Sequence, residues 1–178
     1  KRIPTLLTAA IYRKLSEKDA VLLAIDGPCG SGKSTLGETL RDAYGDTGSA
    51  LFRLDDFFLQ PHQRSRERLL EPGGNVDRER FLREVLLEIK RGQPFVYNRY
   101  DCQQGTLYAV FPPQARLKII EGVYSLHPEL RKFYDITVFL DIPADRQLER
   151  LRERVPEDRL YRFIHDWIPM ENRYFEVF

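Results

Sequence analysis

The feature that most constrains this chain is an apolar run that leads at once into a glycine-rich loop and then into a helical segment. Residues 21–25 are all apolar, and Gly27–Ser34 follow the spacing Gly-x-x-x-x-Gly-Lys-Ser. Apolar residues then recur at the spacing of one face of an α-helix, which we expect to end at Gly45. A strand over about residues 20–26, the loop and this helix form the context in which the pattern is a phosphate-binding P-loop.

The chemistry of a P-loop explains this pattern. Glycines let successive N–H groups turn inward around an anion, and the positive end of the following helix faces the same point. Lys33 supplies a mobile cation for the β- and γ-phosphates, and the Ser34 hydroxyl is placed to bind Mg²⁺. The alternative is a glycine-rich turn with a chance lysine, and we favour a site for a nucleoside triphosphate. The predicted nucleotide-binding residues are Gly27, Pro28, Cys29, Gly30, Ser31, Gly32, Lys33, Ser34 and Thr35.

The composition describes an ordinary globular chain, for which we predict a single domain over residues 1–178. The chain is 42% hydrophobic and 31% charged with a formal net charge of +1, which gives no general attraction to nucleic acid or membrane surfaces. No apolar run approaches the roughly 20 residues that span a bilayer, and the N-terminal segment lacks the apolar core of a signal peptide. Cys29 and Cys102 have neither metal-ligand spacing nor an evident disulfide pairing, so we expect a protein of the reducing cytoplasm.

Strand-like and helix-like segments alternate along the chain. This order predicts an α/β fold of three layers, the P-loop NTPase fold, with a parallel sheet between flanking helices. A small hairpin on the acceptor side is expected over about residues 95–110, with strands at 95–97 and 106–110 around a turn at 98–105. The other predicted helices cover 5–17, 78–91 and 144–155, and the other predicted strands cover 50–54, 117–120 and 136–140.

Three predicted strands end in residues that carry chemistry, namely Gly27, Asp55 and Glu121. Because the ligands of a parallel α/β sheet gather at the carboxyl ends of its strands, one crevice should hold all three. We expect Asp55 to act in catalysis with Lys33, by orienting an acceptor hydroxyl and taking its proton, with Asp56 as the alternative. Glu121 ends a buried strand and is expected to hold a Mg²⁺-bound water; the alternative is a carboxylate satisfied by backbone N–H groups.

Two further segments are expected around this crevice. The largely polar stretch over about 57–76 has the length of a mobile, functional loop, which we place on the acceptor side. Arginines recur every fourth residue from Arg146 to Arg154, with Arg159 nearby, and suggest a cationic lid over about 146–165. The alternative is a solvated helix face paired with glutamates. Within the lid we assign the phosphate contacts to Arg154 and Arg159.

Beyond the P-loop, five motifs follow one another along the chain. They are Leu54-Asp55-Asp56-Phe57-Phe58, Asn75-Val-Asp77, Tyr100-Asp101, Ile119-Ile-Glu121-Gly122 and Arg150-Leu-Arg-Glu-Arg154-Val. In this order they resemble the uridine kinase and phosphoribulokinase superfamily of P-loop kinases. The resemblance covers most of the chain, from the P-loop strand through Val155.

The resemblance implies roles for the predicted substrate-binding residues. In that family the residue matching Asp55 orients the nucleoside 5′-hydroxyl. The residue matching Asp77 contacts the ribose hydroxyls, although helix capping alone would also explain an aspartate at this position. The pair matching Tyr100 and Asp101 lies beside the base, and the arginine matching Arg150 approaches the ribose.

The resemblance also implies an ATP- and Mg²⁺-dependent kinase, in which the glutamate matching Glu121 supports the metal. Its partner would be a small-molecule acceptor, first of all a nucleoside phosphorylated on its 5′-hydroxyl. Family uridine kinases carry a histidine a few residues after the Tyr-Asp pair, where this chain has Gly105. Nicotinamide riboside or pantothenate therefore remains an alternative acceptor. A nucleotide-binding switch protein is an alternative of another class, but the sequence lacks the Asn-Lys-x-Asp motif that reads guanine in such switches.

Overall fold

The computed structural model describes residues 3–45 and 48–178. Its strands are β1 (Val21–Asp26), β2 (Ser49–Arg53), β3 (Tyr97–Asp101), β4 (Thr106–Val110), β5 (Leu117–Glu121) and β6 (Ile136–Phe139). A parallel sheet has the spatial order β2, β5, β1, β6, and β3 and β4 form a separate antiparallel hairpin. This arrangement confirms the predicted α/β fold with a parallel sheet and a small hairpin.

The helices connect and flank these strands. They are α1 (Thr5–Glu17), α2 (Lys33–Tyr44), α3 (Arg66–Leu70), α4 (Arg78–Phe81), α5 (Leu87–Arg91), α6 (Pro128–Arg131), α7 (Ala144–Arg154), α8 (Glu157–Arg162) and α9 (Ile168–Val177). Short 3₁₀ turns cover Leu54–Phe57 and Pro61–Gln63, and π-helical turns cover Leu82–Leu86 and Phe163–Trp167. The first π-helical turn joins α4 to α5, so that the helix predicted over 78–91 is continuous. It begins at the Asp77 cap and ends at Gly92, as predicted.

Alternate residues of the strands supply two hydrophobic cores, one on each face of the sheet. On one face Leu23 packs with Ile11 of α1 and Leu40 of α2. On the other face Ile120 packs with the apolar side of the continuous α4–α5 helix. Each large apolar side chain buried in this way contributes about 1.5–3 kcal/mol, and the two cores hold the sheet between its helices.

The parallel register brings three strand ends to one edge of the sheet. Ile25 of β1 and Arg53 of β2 both lie opposite Glu121 of β5. Gly27, which follows β1, and Asp55, which follows β2, therefore leave the sheet at about the same level. The crevice expected at the carboxyl ends of the strands forms at this edge.

The hairpin differs from its prediction in the extent of its first strand. β3 runs to Asp101, with Tyr97 opposite Val110, so the predicted strand at 95–97 and the predicted turn at 98–105 are both wrong in their boundaries. Polar residues in the second half of this strand indicate a turn when the sequence is considered alone. A two-stranded antiparallel ribbon leaves much of its surface in water, however, and tolerates polar residues within its strands.

The segment over 57–76, predicted to be a mobile loop on the acceptor side, contains more regular structure than a loop. It includes a 3₁₀ turn and α3, and an antiparallel bridge between Phe58 and Val76 closes its base. The N–H of Leu59 donates a hydrogen bond to the Asn75 carbonyl at 3.2 Å. The two ends of the segment are therefore tied to each other, and its motion stays a prediction.

The aromatic-rich residues after Val155 form α8 and α9, joined by a π-helical turn. Only the first part of these residues was predicted to have a role, within the lid over 146–165. Tyr174 of α9 is 2% exposed, and its ring lies 5.0 Å from that of Tyr124 between centroids, so this helix packs into the core beside the sheet. No helix in the described part of the chain has the length and apolar character needed to cross a bilayer.

Replacing Gly122 by alanine tests how closely the chain is packed after β5. Gly122 has a φ of 146°, and a Cβ atom there would lie 2.8 Å from the Leu54 Cβ. We expect Gly122→Ala to lower the free energy of unfolding, measured with urea, by about 2–4 kcal/mol. Gly92→Ala is the matched control, because its φ is 73° but no neighbour lies within 4 Å, and it should cost about 1 kcal/mol. Equal losses in the two variants would contradict the packing argument.

Candidate active site

The P-loop adopts a left-handed geometry at its glycines. Gly32 has a φ of 102° directly before α2, and a Cβ atom on Gly27 would lie 2.0 Å from the Leu140 carbonyl oxygen. The loop thus passes closer to the chain after β6 than a side chain would allow. Lys33 is 7% exposed, and its Nζ donates to the Pro28 carbonyl at 2.9 Å. The lysine ammonium therefore lies against the loop that would surround a phosphate.

A buried carboxylate that was not predicted from the sequence holds the start of the loop. Asp26 is fully buried and accepts hydrogen bonds from the N–H groups of Gly27, Tyr124 and Leu126, at 2.7, 3.1 and 2.8 Å. The Tyr174 hydroxyl donates a fourth hydrogen bond at 2.9 Å. Burial raises the pKa of Asp26, and these hydrogen bonds act against that rise. Its donors come from three separate segments, so no local pattern could have identified it.

Two helices hold the third residue of the loop. Gln147 of α7 donates from Nε2 to the Cys29 carbonyl at 2.9 Å and to Sγ at 3.2 Å. The Cys29 N–H donates to the Glu171 carboxylate of α9 at 2.8 Å. Burial, together with the neighbouring Glu171 carboxylate, raises the pKa of the Cys29 thiol to about 12, so the thiol is uncharged at neutral pH. Neither Gln147 nor Glu171 was predicted from the sequence to contact the loop.

A hydroxyl and a carboxylate lie together beside the loop, at the end of β5. The Ser34 Oγ donates to Oε2 of Glu121 at 3.2 Å, and Nε of Arg53 lies 3.3 Å from Oε1. Burial, and then the nearby charge of Asp55, raise the pKa of Glu121. The described residues contain no cluster of three or more acidic, histidine or cysteine side chains that could hold a metal alone. The Ser34–Glu121 pair fits Mg²⁺, which suits oxygen ligands and takes the others from water and phosphate.

The two adjacent aspartates after β2 have different surroundings. Asp56 is buried, and its carboxylate lies 2.8 Å from Nη2 of Arg99 in an ion pair. Asp55 is exposed to the cleft, and it forms no ion pair with another described residue. Desolvation by the protein around it raises the pKa of Asp55, while the positive charges of Lys33 and Arg154 act to lower it. Asp55 is therefore the aspartate available to an acceptor in the cleft.

Three predicted substrate-binding residues lie away from the wall of the cleft. Asp77 accepts the N–H of Arg80 at 3.0 Å and the side-chain amide of Gln63 at 2.7 Å. Tyr100 is 6% exposed, and Asp101 accepts N–H groups of the turn that follows it. None of these three is among the described residues that line the cleft, and their contact with an acceptor stays a prediction.

The predicted substrate-binding residue Arg150 and the predicted lid residues Arg154 and Arg159 all line the cleft, in different surroundings. Nη1 of Arg150 donates to the Gly30 carbonyl at 2.8 Å, so Arg150 contacts the P-loop. The Arg154 guanidinium lies 5.9 Å from the centroid of the Phe163 ring, a distance compatible with a cation–π contact. Arg159 lines the same cleft. Arg150 therefore lies at the loop. Its contact with an acceptor, and the closure of Arg154 and Arg159 over a phosphate, stay predictions.

The cleft has a volume of about 1950 Å³. The P-loop, Asp55, Glu121 and the lid arginines all contribute to it, and the segment over 57–76 supplies a further wall. A pocket for one small ligand usually has about 300–1,000 Å³. The cleft therefore has room for a nucleotide and a second substrate at the same time.

Comparison with known proteins gives a consistent set of relatives. The family model described as Phosphoribulokinase / Uridine kinase family matches residues 22–162. A uridine kinase of Vibrio campbellii is 30% identical over an alignment of 151 positions, which covers 78% of this chain and 70% of that protein. Uridine-cytidine kinase C of Dictyostelium discoideum is 29% identical over 129 residues, 71% of this chain but 28% of that protein. The chain thus spans well under half the length of the longer curated relatives it matches.

A solved structure shares the fold. The structure of a possible uridine kinase from Bacillus stearothermophilus matches with a TM-score of 0.68 over 97% of this chain and 93% of that chain. The two sequences are 22% identical over this match, so the similarity concerns the fold alone. It agrees with the three-layer P-loop architecture described above.

Two substitutions separate the hydrogen bond of Glu171 from its charge. Glu171→Ala leaves the buried Cys29 N–H without a partner and should lower the free energy of unfolding by about 1–3 kcal/mol. Glu171→Gln keeps an acceptor oxygen and removes a desolvated charge, so we expect a stability at pH 7 at least equal to that of the wild type. Urea denaturation measures both, with Glu176→Gln on the exposed part of α9 as the control.

The pH dependence of the same comparison reports on the ionisation of Glu171. Because burial raises the pKa of Glu171, its carboxyl contributes stability below the ordinary glutamate pKa and loses it as the pH rises through the folded-state pKa. The gain in free energy of unfolding of Glu171→Gln over the wild type should therefore grow as the pH rises from the ordinary glutamate pKa to the folded-state pKa of Glu171. An advantage that stays constant with pH would contradict this account.

Proposed function

The chain belongs to the phosphoribulokinase and uridine kinase family, and from that membership we propose that it transfers the γ-phosphate of ATP to a hydroxyl of a small molecule. The observation that carries the proposal is the position of Asp55. Its carboxylate faces the cleft lined by the P-loop lysine and by Glu121, and it remains outside any ion pair with the described residues. An unengaged carboxylate opposite the phosphate-binding loop can orient an acceptor hydroxyl and take its proton as the phosphoryl group is transferred.

Each group in the cleft has a role in this reaction. Lys33 and the N–H groups of the loop bind and orient the β- and γ-phosphates, and Ser34 and Glu121 would hold Mg²⁺, which neutralises phosphate charge when bound. Asp55 accepts a hydrogen bond from the acceptor hydroxyl. As the acceptor oxygen bonds to the γ-phosphorus, the bond to the β–γ bridging oxygen breaks, Asp55 takes the hydroxyl proton and ADP leaves. The lid arginines neutralise the charge on the transferring group.

The acceptor class is the finer part of the proposal. Nucleosides are the first candidates, because several curated relatives are named uridine kinases or uridine-cytidine kinases. Gly105, at the position where family uridine kinases carry a histidine, leaves nicotinamide riboside, pantothenate and other alcohols as alternatives.

The proposal also includes a cytoplasmic location. Both cysteines carry free thiols, and a reducing cytoplasm keeps thiols in this state.

ADP release from purified protein tests the function directly. With ATP and Mg²⁺ present, we expect at least one small hydroxyl compound to stimulate ADP formation well above the rate without acceptor. The first panel holds nucleosides, nicotinamide riboside and pantothenate, and a polynucleotide serves as the negative control because the net charge is close to zero. ATP turnover that no alcohol of this panel stimulates would count against the proposal.

Asp55→Asn tests the role of the unengaged carboxylate. The substitution keeps the size of the side chain and removes its ability to take a proton, so we expect kcat to fall by roughly 10²- to 10⁴-fold. The Kd for ATP, measured by calorimetry, should change little because the loop groups are intact. Asp145→Asn, on the exposed first turn of α7, is the control. Loss of ATP binding together with turnover would instead indicate a structural role for Asp55.

A further inference from the structure

Arg53 contacts a carboxylate that is expected to support the metal, although it is not among the described residues that line the cleft. It is the last residue of β2 and lies directly opposite Glu121 of β5 in the parallel register. Opposite residues of neighbouring strands point to the same face of a sheet. Any effect of Arg53 on the reaction must therefore pass through Glu121.

The guanidinium of Arg53 joins two carboxylates. Its Nε lies 3.3 Å from Oε1 of Glu121, and its Nη2 donates to Oε1 of Glu38 in α2 at 2.9 Å. The Glu121 side chain is only 5% exposed, so this ion pair is better shielded from water than the surface pairs that contribute little. Arg53 thus holds one carboxylate oxygen of Glu121 and leaves the other, Oε2, to the Ser34 hydroxyl at 3.2 Å.

These contacts close a ring across one helix and two strands. Ser34 and Glu38 are four positions apart in α2 and therefore lie on the same side of that helix. Arg53 of β2 and Glu121 of β5 complete the ring. Gly37 lets the helix approach closely at this point, because a Cβ atom there would lie 3.4 Å from Cγ of Glu121. The Glu121 side chain is therefore held between the helix and the neighbouring strand.

The orientation of Glu121 matters because a carboxylate offers acceptor sites on both of its oxygens. Without Arg53, rotation of the side chain would turn Oε2 away from Ser34. Mg²⁺ requires a nearly ideal octahedral arrangement of its oxygen ligands and waters, so it responds strongly to such a displacement. Loss of a partner that orients a metal-binding side chain typically costs about 10- to 100-fold in metal affinity or activity.

We propose that Arg53 is a positioning residue for the metal: it fixes the Glu121 carboxylate so that Oε2 stays beside the Ser34 hydroxyl, where Mg²⁺ would be held. Glu38 supports this role by binding the second arm of the guanidinium. The inference rests on the proposed function and adds to it a residue outside the described lining of the cleft. Loss of Arg53 should weaken binding of the metal–nucleotide complex and leave binding of the metal-free nucleotide unchanged.

Nucleotide binding with and without the metal tests this role. Calorimetry gives the Kd for a non-hydrolysable ATP analogue in Mg²⁺ and in EDTA, and their ratio is the factor by which the metal tightens binding. Arg53→Gln should lower this factor by roughly tenfold and leave the Kd in EDTA unchanged. Arg53→Lys should give an intermediate factor, because an ammonium keeps the charge but lacks the planar fork that reaches both glutamates.

Turnover gives a second readout. In Arg53→Gln the Mg²⁺ concentration at half-maximal rate should rise by roughly tenfold, whereas kcat at saturating Mg²⁺ and KM for the acceptor should change little. Arg83→Gln is the matched control. The Arg83 side chain is 69% exposed, lies 3.8 Å from Glu84 in an ion pair and is outside the described lining of the cleft. This control should leave the Mg²⁺ requirement unchanged.

An unchanged metal factor in Arg53→Gln would overturn the inference, and so would a wild-type protein whose binding gains nothing from Mg²⁺. Equal weakening in Mg²⁺ and in EDTA would overturn it too, because it would indicate a structural role. If Arg53→Gln does not fold, Arg53→Lys and Glu38→Gln decide, since Glu38 is 50% exposed and its loss threatens the fold less. An unchanged factor in both would contradict the inference. Failure of the wild type to bind the ATP analogue at all would instead contradict the proposed function.

Discussion

The parallel register of β1, β2 and β5 is the constraint on which the rest of the site depends. Because Ile25 and Arg53 both lie opposite Glu121, the chain after each strand leaves the sheet at one level. A shift of one residue in this pairing would turn alternate side chains to the other face and separate Ser34 from Glu121. Burial of apolar residues on both faces opposes such a shift, so the cores that stabilise the sheet also position the chemistry.

The C-terminal helix supports the same site from the other side. Tyr174 donates to Asp26 before the loop, and Glu171 accepts from Cys29 within it. Both carboxylates are buried, and both would be costly without their donors. The conformation of the P-loop therefore depends on α9, a helix from the aromatic-rich end of the chain whose sequence carries no phosphate-binding motif. Binding of a nucleotide and the packing of this helix should be energetically coupled for this reason.

Local sequence patterns were sufficient to predict the elements that form through interactions between residues close together in the sequence. The P-loop spacing, the helix ends at Gly45 and Gly92 and the parallel strands were predicted because glycine geometry and apolar periodicity act over a few residues. The hairpin boundaries were wrong, since its polar residues lie in a strand that only pairing with β4 makes regular. The sequence favoured Asp55 but left Asp56 as an alternative, because the difference between their surroundings is the Arg99 side chain on that hairpin.

The sequence by itself determined the phosphate-binding loop, the class of fold and the strand ends at which chemistry would gather. Only the tertiary structure decided which charged groups are neutralised by partners and which remain available in the cleft. In the folded chain Asp56 and Arg68 form ion pairs, with Arg99 and Glu79 respectively. Asp55, Arg64 and Arg66 line the cleft and form no ion pair with the described residues. The physical reason is that an ion pair requires two side chains within a few ångströms, and residues distant in the sequence reach that distance only after the chain has folded.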